Sequence, residues 1–372
     1  MMKTPIFLFC MVVFPVLVIF FFTSLMDEGL PEDMPVGIVD LDNTSTTRAM
    51  IRRLDAFQTS RVTHYYSSVN EARRAIQRNQ IYAFLYLPKG TTADLMARRQ
   101  PKVSFYYSSV SISVGSLLMR DLKTITTLGS AAVGQSTMRA RGYTDRQIKA
   151  FLQPIKIDLH AVNNPYVSYN IYVSTFIVPG IILLFIFLMS AYSIGTELKF
   201  KRSQQWMKLS GNDIFTALTG KFLPHTLIWL TIMFGYSWYV FGHLGFTHQG
   251  SLWTIVGLNV LAVLAGEGFG IFVFGLMPSL RMSMSVCSLW AVLSFSMCGA
   301  AFPVFAMNPM IDALANLFPL RHYYMIHQLC VFNGYPWHIA WFYIMALAIF
   351  IALPFFVTRN IRKAMLEYVY IP

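Results

Sequence analysis

Charged side chains are scarce in this sequence. Only 12% of its 372 residues are Asp, Glu, Lys or Arg, whereas an average soluble protein has about 25%. Hydrophobic residues make up 55% of the chain, and aromatic residues make up 15%. This balance excludes a disordered chain and argues against an ordinary soluble enzyme. It predicts that lipid solvates much of the chain.

Cysteines are few, and the common catalytic motifs are missing. Cys10, Cys287, Cys298 and Cys330 have neither CxxC spacing nor the Cys/His spacing of a metal site. The chain contains no GxxxxGKS or GxxxxGKT phosphate loop, no HExxH and no GxSxG. We therefore expect no catalytic residue, no metal and no cofactor in this chain.

The first long feature is an uncharged apolar run from Pro5 to Met26, preceded by Lys3. A helix of about 20 apolar residues is long enough to cross the hydrocarbon core of a bilayer. A signal peptide is the alternative, but the run is long for one and no small-x-small cleavage site follows. We interpret residues 1–26 as an uncleaved first transmembrane helix.

Charge returns in residues 27–170, which hold 18 Lys and Arg and 12 Asp and Glu. Short apolar runs alternate there with helix-period segments, a pattern typical of an α/β domain with partly parallel strands. The predicted strands are Val36–Asp40, Val62–Tyr66, Tyr82–Leu87, Val103–Tyr107 and a last one near Ile155–Ala161. The predicted helices are one that ends near Leu54, Ser68–Asn79, Thr91–Arg99, Ser111–Arg141 and Thr144–Gln153.

Residues 171–372 are predicted to form a transmembrane domain with five further helices. The expected spans are Ile171–Ser193, Phe222–Phe241, Leu252–Leu276, Met282–Phe305 and His338–Thr358. Residues 303–335 are too polar and broken for a span, and we interpret them as an interfacial or re-entrant helix pair. The predicted fold is an α-helical polytopic membrane protein with six spans and an inserted extracytoplasmic α/β domain.

The distribution of basic residues predicts the orientation. The formal net charge of +12 would fit a nucleic-acid partner, but basic residues also collect in the cytoplasmic loops of membrane proteins. Ten of the eleven short-loop Lys and Arg residues fall on one side if there are six spans, and Arg321 is the exception. Both termini are therefore expected in the cytoplasm, with the large domain on the other side of the membrane and no nucleic-acid partner.

Residues 195–221 are cationic and amphipathic. Lys199, Lys201, Arg202 and Lys208 alternate there with the apolar patch of Trp206, Met207 and Leu209. One interpretation is an interfacial helix held by anionic lipid. The other is a coupling helix that docks into a cytosolic motor.

The segment resembles the cytoplasmic coupling region of the ABC type-2 exporter permeases. The resemblance rests on an acidic residue after the second span, a basic stretch, and a later Leu-x-Gly-Lys pattern. The matching residues are Glu197, Lys199–Arg202, Trp206, Leu209-Ser210-Gly211, Ala217-Leu218 and Gly220-Lys221. Gly211 departs from the family, where Pro is common. The start of the charged domain, Val36–Ser45, is similar to that of the large-loop, multidrug-exporter-like subgroup.

The resemblance implies a permease subunit that exports a drug-like or lipophilic substrate across the inner membrane of a bacterium. It also implies that ATP is hydrolysed in a separate cytosolic ABC ATPase dimer, and that a second permease subunit, identical or different, completes the pathway. A periplasmic adaptor is a further implied partner. The residues that would couple the chain to the ATPase are Glu197, Lys201, Gln205, Trp206 and Lys208.

Glu267 is the only acidic residue well inside a predicted span. A charge at the bilayer centre costs about 3 kcal/mol or more, so this carboxyl group must be protonated, paired or facing a polar cavity. Gly266, Gly268 and Gly270 beside it would allow close helix approach. A pathway or dimer-interface residue and a structural hydrogen bond are both open interpretations.

Three other functional classes remain possible on sequence alone. A membrane-anchored receptor would use the charged domain to bind a ligand, and an envelope-assembly scaffold would use the same domain to bind partners. A membrane-embedded enzyme would need polar residues gathered at the interface, for which Arg321, His322 and Tyr323 are the candidates.

Overall fold

A computed structural model of the chain describes residues 5–25, 27, 29–97, 99–108, 112–153, 164 and 168–367. The chain divides into two compact units. One consists of Met1–Asp27 and Ala161–Pro372, and the other of Glu28–His160. The strand predicted near Ile155–Ala161 lies outside the described residues.

The first helix, α1, spans Pro5–Leu25 and includes a π-helical turn at Phe9–Val13. Its buried residues Met11, Val18 and Ile19 join the hydrophobic core of the larger unit. The other side of α1 exposes large apolar side chains such as Phe21 and Leu25. This exposure is expected of a helix that faces lipid.

The smaller unit is built around a four-stranded sheet. Its elements in chain order are β1 (Met34–Asp40), α2 (Ser45–Asp55), β2 (Ser60–Tyr65), α3 (Val69–Gln77), β3 (Ala83–Leu87), α4 (Thr91–Met96), β4 (Ser104–Tyr107), α5 (Ile112–Ala140) and α6 (Asp145–Leu152). The strand order is β2-β1-β3-β4. Strand β1 runs parallel to β2 and β3, and β4 runs antiparallel to β3.

Helices cover both faces of this sheet. Ile51 and Leu54 of α2 pack with Val36 and Ile38 on one face, together with residues of α5. Ala72 and Ala75 of α3 pack with Val39 and Phe84 of the strands in a second cluster. Successive side chains of a strand point to opposite faces of the sheet. Because helices cover both faces here, the side chains on both faces of a central strand are apolar. This explains the unbroken apolar run of β1.

The larger unit contains the remaining helices. They are α7 (Tyr169–Lys199), α8 (Ser203–Leu209), α9 (Ile214–Ser237), α10 (Leu252–Leu276), α11 (Leu280–Met297), α12 (Pro309–Ala315), α13 (Pro319–Ile326) and α14 (Trp341–Glu367). A π-helical turn follows α9 at Trp238–His243, and another follows α13 at His327–Phe332.

Five helices within the described part of the chain are long and apolar enough to cross a membrane. They are Pro5–Leu25, Tyr169–Lys199, Leu252–Leu276, Leu280–Met297 and Trp337–Glu367. Helix α9, which holds the predicted span Phe222–Phe241, is not among them. Lys221, Pro224, His225 and four threonines lower its hydropathy. The count of six spans therefore stays a prediction.

The fifth predicted span is shorter than expected. It was predicted to reach Phe305, but α11 ends at Met297. Gly299 follows with φ +98°, a backbone conformation that favours glycine and ends a right-handed helix. Pro303 then precedes a single 3-10 turn at Val304–Ala306.

The segment 303–335 holds two short helices with different surroundings. Helix α12 exposes Met310 and Leu314. Helix α13 is buried along nearly its whole length, including Arg321 and His322. Residues 303–335 were expected to form a helix pair at the membrane interface or re-entering the membrane. Only α12 of the two helices lies on the surface of this unit.

Helix α10 lies at the centre of the larger unit. A Cβ atom built on Gly270 would lie 2.7 Å from the carbonyl oxygen of Phe187 in α7, and one on Gly268 would overlap the carbonyl of Phe350 in α14. Glycine permits this close backbone approach because it has no side chain. The helix approach predicted from these glycines occurs between helices of the same chain.

Candidate functional site

The residues predicted to couple the chain to a motor lie where α7, α8 and α9 meet. Helix α7 ends at Lys199, so Glu197 stands in its last turn. Lys201, at φ +55°, reverses the chain into α8. A second reversal follows α8, with Gly211 at φ +66° and Asn212 at φ +60°. Glycine at position 211 suits this left-handed turn, which proline could not form.

Asp213 fixes the start of α9. Its carboxylate accepts hydrogen bonds from the backbone N–H groups of Phe215 and Thr216, and from the Thr216 hydroxyl at 2.6 Å. These bonds, the Thr216 hydroxyl first, lower the pKa of Asp213. Its charge therefore persists to low pH at the positive end of the helix, where an anion is favoured.

Glu197 forms a shielded ion pair with Lys221 of α9. The Lys221 Nζ atom donates to Glu197 Oε1 at 2.6 Å, and the side chains are only 13% and 15% exposed, respectively. Arg202 Nε lies 3.7 Å from Glu197 Oε2. Burial away from water strengthens such charge-assisted bonds, and leaving either charge unpaired would be costly.

Trp206 completes the cluster from α8. Lys221 Nζ lies 4.9 Å from the centre of the Trp206 ring, within the range of a cation–π interaction. The ammonium group thus contacts α7 through Glu197 and α8 through Trp206, while its own backbone belongs to α9. We call Glu197, Trp206 and Lys221 the anchor cluster. It fixes α8 against the ends of two longer helices.

The other predicted coupling residues are on the surface. Lys201, Gln205 and Lys208 are all exposed. Leu209, at the end of α8, is 88% exposed. The exposed ring of Phe200 lies beside two cations, 5.8 Å from Lys199 Nζ and 5.3 Å from Arg202 Cζ. This surface combines positive charge with isolated apolar side chains, which suits a protein partner with complementary charge.

A cleft of about 550 Å³ lies beside the anchor cluster. Its apolar walls include Phe7, Ala217 and Pro224, and its polar walls include Arg202 and Thr216. Within residues 195–221, five basic and two acidic side chains leave a formal charge of +3.

Glu267 is not part of this cluster. Its carboxylate is buried in α10, and Oε2 accepts a hydrogen bond of 2.6 Å from the Thr226 hydroxyl of α9. Oε1 has no partner among the described residues. Beside Thr226, His225 is buried and its Nε2 lies 3.2 Å from Ser193 Oγ of α7. These polar contacts join α9 to α7 and α10.

Sequence reasoning did not single out Lys221, His225, Thr226 or Ser193. Lys221 was visible only as a member of the Gly220-Lys221 pattern and as one more loop cation. Its pairing with Glu197 spans 24 positions, so it depends on how the helices pack. In the described part of the chain, no cluster of His, Cys, Asp or Glu could hold a metal ion.

Residues 5–358 match the model of a family described as ABC-2 family transporter protein. Because the match covers nearly the whole chain, the chain belongs to this family. A search of curated proteins gives no match. The family assignment makes the chain a multi-pass membrane component of an ABC transporter, a permease subunit that associates with an ABC ATPase and is not itself the catalytic subunit.

Proposed function

We propose that this chain is the permease subunit of an ABC exporter and that a cytosolic ATPase dimer docks on residues 195–221. The observation that carries the proposal is the contrast within this segment. Glu197, Trp206 and Lys221 are held together inside the chain, whereas Lys201, Gln205, Lys208 and Leu209 are available on its surface.

The two groups of residues have different proposed roles. Lys201, Gln205 and Lys208 contact the ATPase, with Leu209 as an apolar contact beside them. Glu197 and Trp206 are positioning residues, because they reach a partner only through the placement of α8. Exposed charges set the register and orientation of such a contact more than its affinity.

The anchor cluster supports a route for motion from the ATPase into the membrane. A displacement of α8 moves Lys221 and Glu197 with it, because breaking the pair would leave a shielded charge without a partner. These residues belong to α9 and α7, and α7 packs closely on the central helix α10 at Gly270. ATP-driven closure of the motor would thus shift α7 and α9 against α10.

The remaining arrangement follows from the same proposal. Both termini and residues 195–221 lie in the cytoplasm, and the sheet-containing unit lies outside the inner membrane of a bacterium. A second permease subunit, identical or different, completes the pathway, and the outer unit recruits a periplasmic adaptor. The transported molecule is drug-like or lipophilic, in keeping with the 31 Phe and 21 Met residues of the chain.

Co-purification tests the docking proposal. The tagged chain is co-expressed with the ABC ATPase of the same organism that is proposed as its partner, and it is isolated in mild detergent. Wild type should retain the ATPase, and the charge-reversed variant Lys201→Glu/Lys208→Glu should lose most of it. The matched control Arg359→Glu/Lys363→Glu reverses two exposed cations of α14 and should retain it. Equal retention by both variants would refute docking at α8.

The positioning role has its own variant. Glu197→Ala/Trp206→Ala removes two of the three members of the anchor cluster and leaves the surface residues unchanged. We expect it to lose ATPase binding as well, but with a lower thermal stability than wild type, whereas Lys201→Glu/Lys208→Glu should unfold at the wild-type temperature. Full ATPase binding by the first variant would show that the cluster does not position α8.

A further inference from the structure

We propose that the cleft beside α8 binds an anionic phospholipid, with the headgroup phosphate at Arg202 and an acyl chain along Phe7 and Pro224. This inference goes beyond docking of an ATPase. It rests on the proposed orientation, with residues 195–221 on the cytoplasmic side of the membrane, and does not need the ATPase.

The two ends of the cleft differ in polarity. Arg202, Ser210 and Thr216 line it near the start of α9, together with the exposed Leu209. Phe7 and Pro224 line it further along α9, together with Ser193, whose hydroxyl already lies 3.2 Å from His225 Nε2. Phe7 belongs to α1, an apolar helix of 21 residues that is long enough to span the membrane. The apolar end therefore lies at the level of the acyl chains, and the polar end lies at the level of the headgroups. An amphipathic occupant matches both ends.

The charge of the cleft favours an anion. Glu197 is the acidic residue of its lining, and Lys221 neutralises it at 2.6 Å. Arg202 then supplies an excess positive charge. Its side chain is 55% exposed, and its Nε lies 3.7 Å from Glu197 Oε2, too far for a hydrogen bond. An arginine with free donors suits a phosphate group, which accepts two parallel hydrogen bonds from a guanidinium.

The size and place of the cleft favour a lipid over a protein side chain. A volume of about 550 Å³ is within the usual range of small-molecule sites, roughly 300–1,000 Å³. A soluble protein could reach Arg202 from the aqueous side, but Phe7 lies on a helix that crosses the bilayer. Basic pockets between membrane helices on the cytoplasmic side are typical binding sites for anionic headgroups.

Gly220 offers a way to fill the cleft without disturbing the protein. It lines the cleft, and a Cβ atom built on it meets no atom within 4 Å. Gly235 lies on the same helix, and a Cβ atom there also meets nothing within 4 Å, but Gly235 is not part of the cleft lining. Gly220→Leu and Gly235→Leu are therefore a matched pair, with the same change in helix propensity.

Native mass spectrometry of the full chain tests the proposal. Protein is reconstituted in vesicles of phosphatidylcholine and phosphatidylglycerol in equal amounts, then extracted in mild detergent. Wild type and Gly235→Leu should retain a phosphatidylglycerol adduct in preference to phosphatidylcholine, and Gly220→Leu should lose most of it. Arg202→Gln should weaken the preference about fivefold, as expected for one basic side chain near an anionic surface. Added inorganic phosphate should not displace the adduct, because it lacks the acyl chain.

Three results would overturn the proposal. Equal retention of phosphatidylglycerol by Gly220→Leu and Gly235→Leu would place the lipid elsewhere. Equal binding of the two lipids by wild type would remove the role of charge. The cleft would instead be a protein contact if Gly220→Leu kept the phosphatidylglycerol adduct after reconstitution but lost the ATPase in lipid-free detergent.

Discussion

Lys221 Nζ lies 2.6 Å from Glu197 Oε1, and both side chains are largely shielded from water. The pair joins the first turns of α9 to the last turn of α7. The Trp206 ring of α8 lies against the same ammonium group. One ion pair thus fixes the geometry of the segment that we propose as the docking site of the motor.

Removal of Lys221 should destabilise the chain more than removal of the whole pair. Lys221→Met leaves the Glu197 carboxylate shielded and deprived of its main partner, at a cost of about 3 kcal/mol. Glu197→Gln/Lys221→Met leaves no unpaired charge and should recover most of this loss. Thermal unfolding of the purified chain, followed by tryptophan fluorescence, measures both. A double variant no more stable than Lys221→Met would contradict this account of the pair.

Thr226 should stabilise the chain through Glu267. Thr226→Val removes the hydroxyl that donates to the buried carboxylate at 2.6 Å, which should lower the unfolding free energy by about 1–2 kcal/mol. The control Thr231→Val removes an exposed hydroxyl that bonds only the Leu227 carbonyl of its own helix. It should change stability by less than about 0.5 kcal/mol. An equal loss of unfolding free energy in Thr226→Val and Thr231→Val would show that the Thr226–Glu267 contact does not stabilise the chain.

Glu267→Gln separates the two interpretations of this residue. The amide oxygen of Gln still accepts from Thr226, so a structural role predicts near-normal stability, transport and dimerisation. A pathway or interface role predicts a loss of transport or of dimerisation at unchanged stability. Transport in vesicles and the oligomeric mass in detergent are the measurements.

Acid should weaken the sheet-containing unit through Asp42. Its carboxylate accepts from the Thr92 hydroxyl at 2.5 Å and from the N–H groups of Gly90 and Thr92. These bonds, the Thr92 hydroxyl first, lower the pKa of Asp42 below its ordinary value. The stabilisation from these bonds is present above the pKa that Asp42 has in the unfolded chain, about 4. It is lost as the pH falls through the lower pKa that Asp42 has in the folded chain.

Hydrogen exchange of β1 and β3 measures this acid effect. We expect faster exchange near about pH 3 than near about pH 6 in wild type, after correction for the intrinsic rates, and a smaller difference in Asp42→Asn. Asp121 is a control, because its pKa is shifted in the opposite direction. Burial raises its pKa, so its contribution is lost as the pH rises, and Asp121→Asn should not remove the acid sensitivity. An unchanged acid response in Asp42→Asn would contradict the role of its hydrogen bonds.

Cysteine labelling should place residues 96 and 209 on opposite sides of the membrane. Leu209 and Met96 are both well exposed, at 88% and 79%, whereas Cys287, Cys298 and Cys330 are buried. A membrane-impermeant maleimide should label Met96→Cys in spheroplasts, and Leu209→Cys only after the membrane is opened. The wild-type chain controls for its native thiols. Labelling of Leu209→Cys in sealed spheroplasts would reverse the proposed topology.

The strands of the smaller unit were predictable because their patterns are local. Each of the four described strands lies within two residues of its predicted range, since apolar runs bounded by turn residues determine them. Their order was not predictable, because the parallel pairing of β1 with both β2 and β3 depends on helices packing on both faces.

Helix ends were less predictable in the larger unit. The hydropathy of residues 282–305 favours one long helix, but the left-handed conformation of Gly299 ends it early. The burial of α13 could not be derived from the sequence, for a different reason. Its polar residues Arg321 and His322 suggest a surface, yet the Asp312 carboxylate accepts from Arg321 and the Asn316 carbonyl oxygen lies 2.8 Å from His322 Nε2. Such pairing is visible only after the helices pack.

For the candidate site, the sequence predicted a segment but not the contacts within it. Composition and charge marked residues 195–221, and the family resemblance singled out Glu197 and Trp206. Neither feature indicated that these two residues would contact the same lysine of α9 rather than face a partner. That arrangement follows from the tertiary fold, which brings positions 197 and 221 together.

Photo-crosslinking from Leu209 tests the central claim most directly. Benzoylphenylalanine is placed at Leu209 on α8, or at Leu252 as an exposed control on α10, in cells that also produce the proposed partner ATPase. Docking at α8 predicts a covalent adduct of the chain with the ATPase from position 209 and none from position 252. No adduct from position 209, or equal adducts from both positions, would contradict docking at α8.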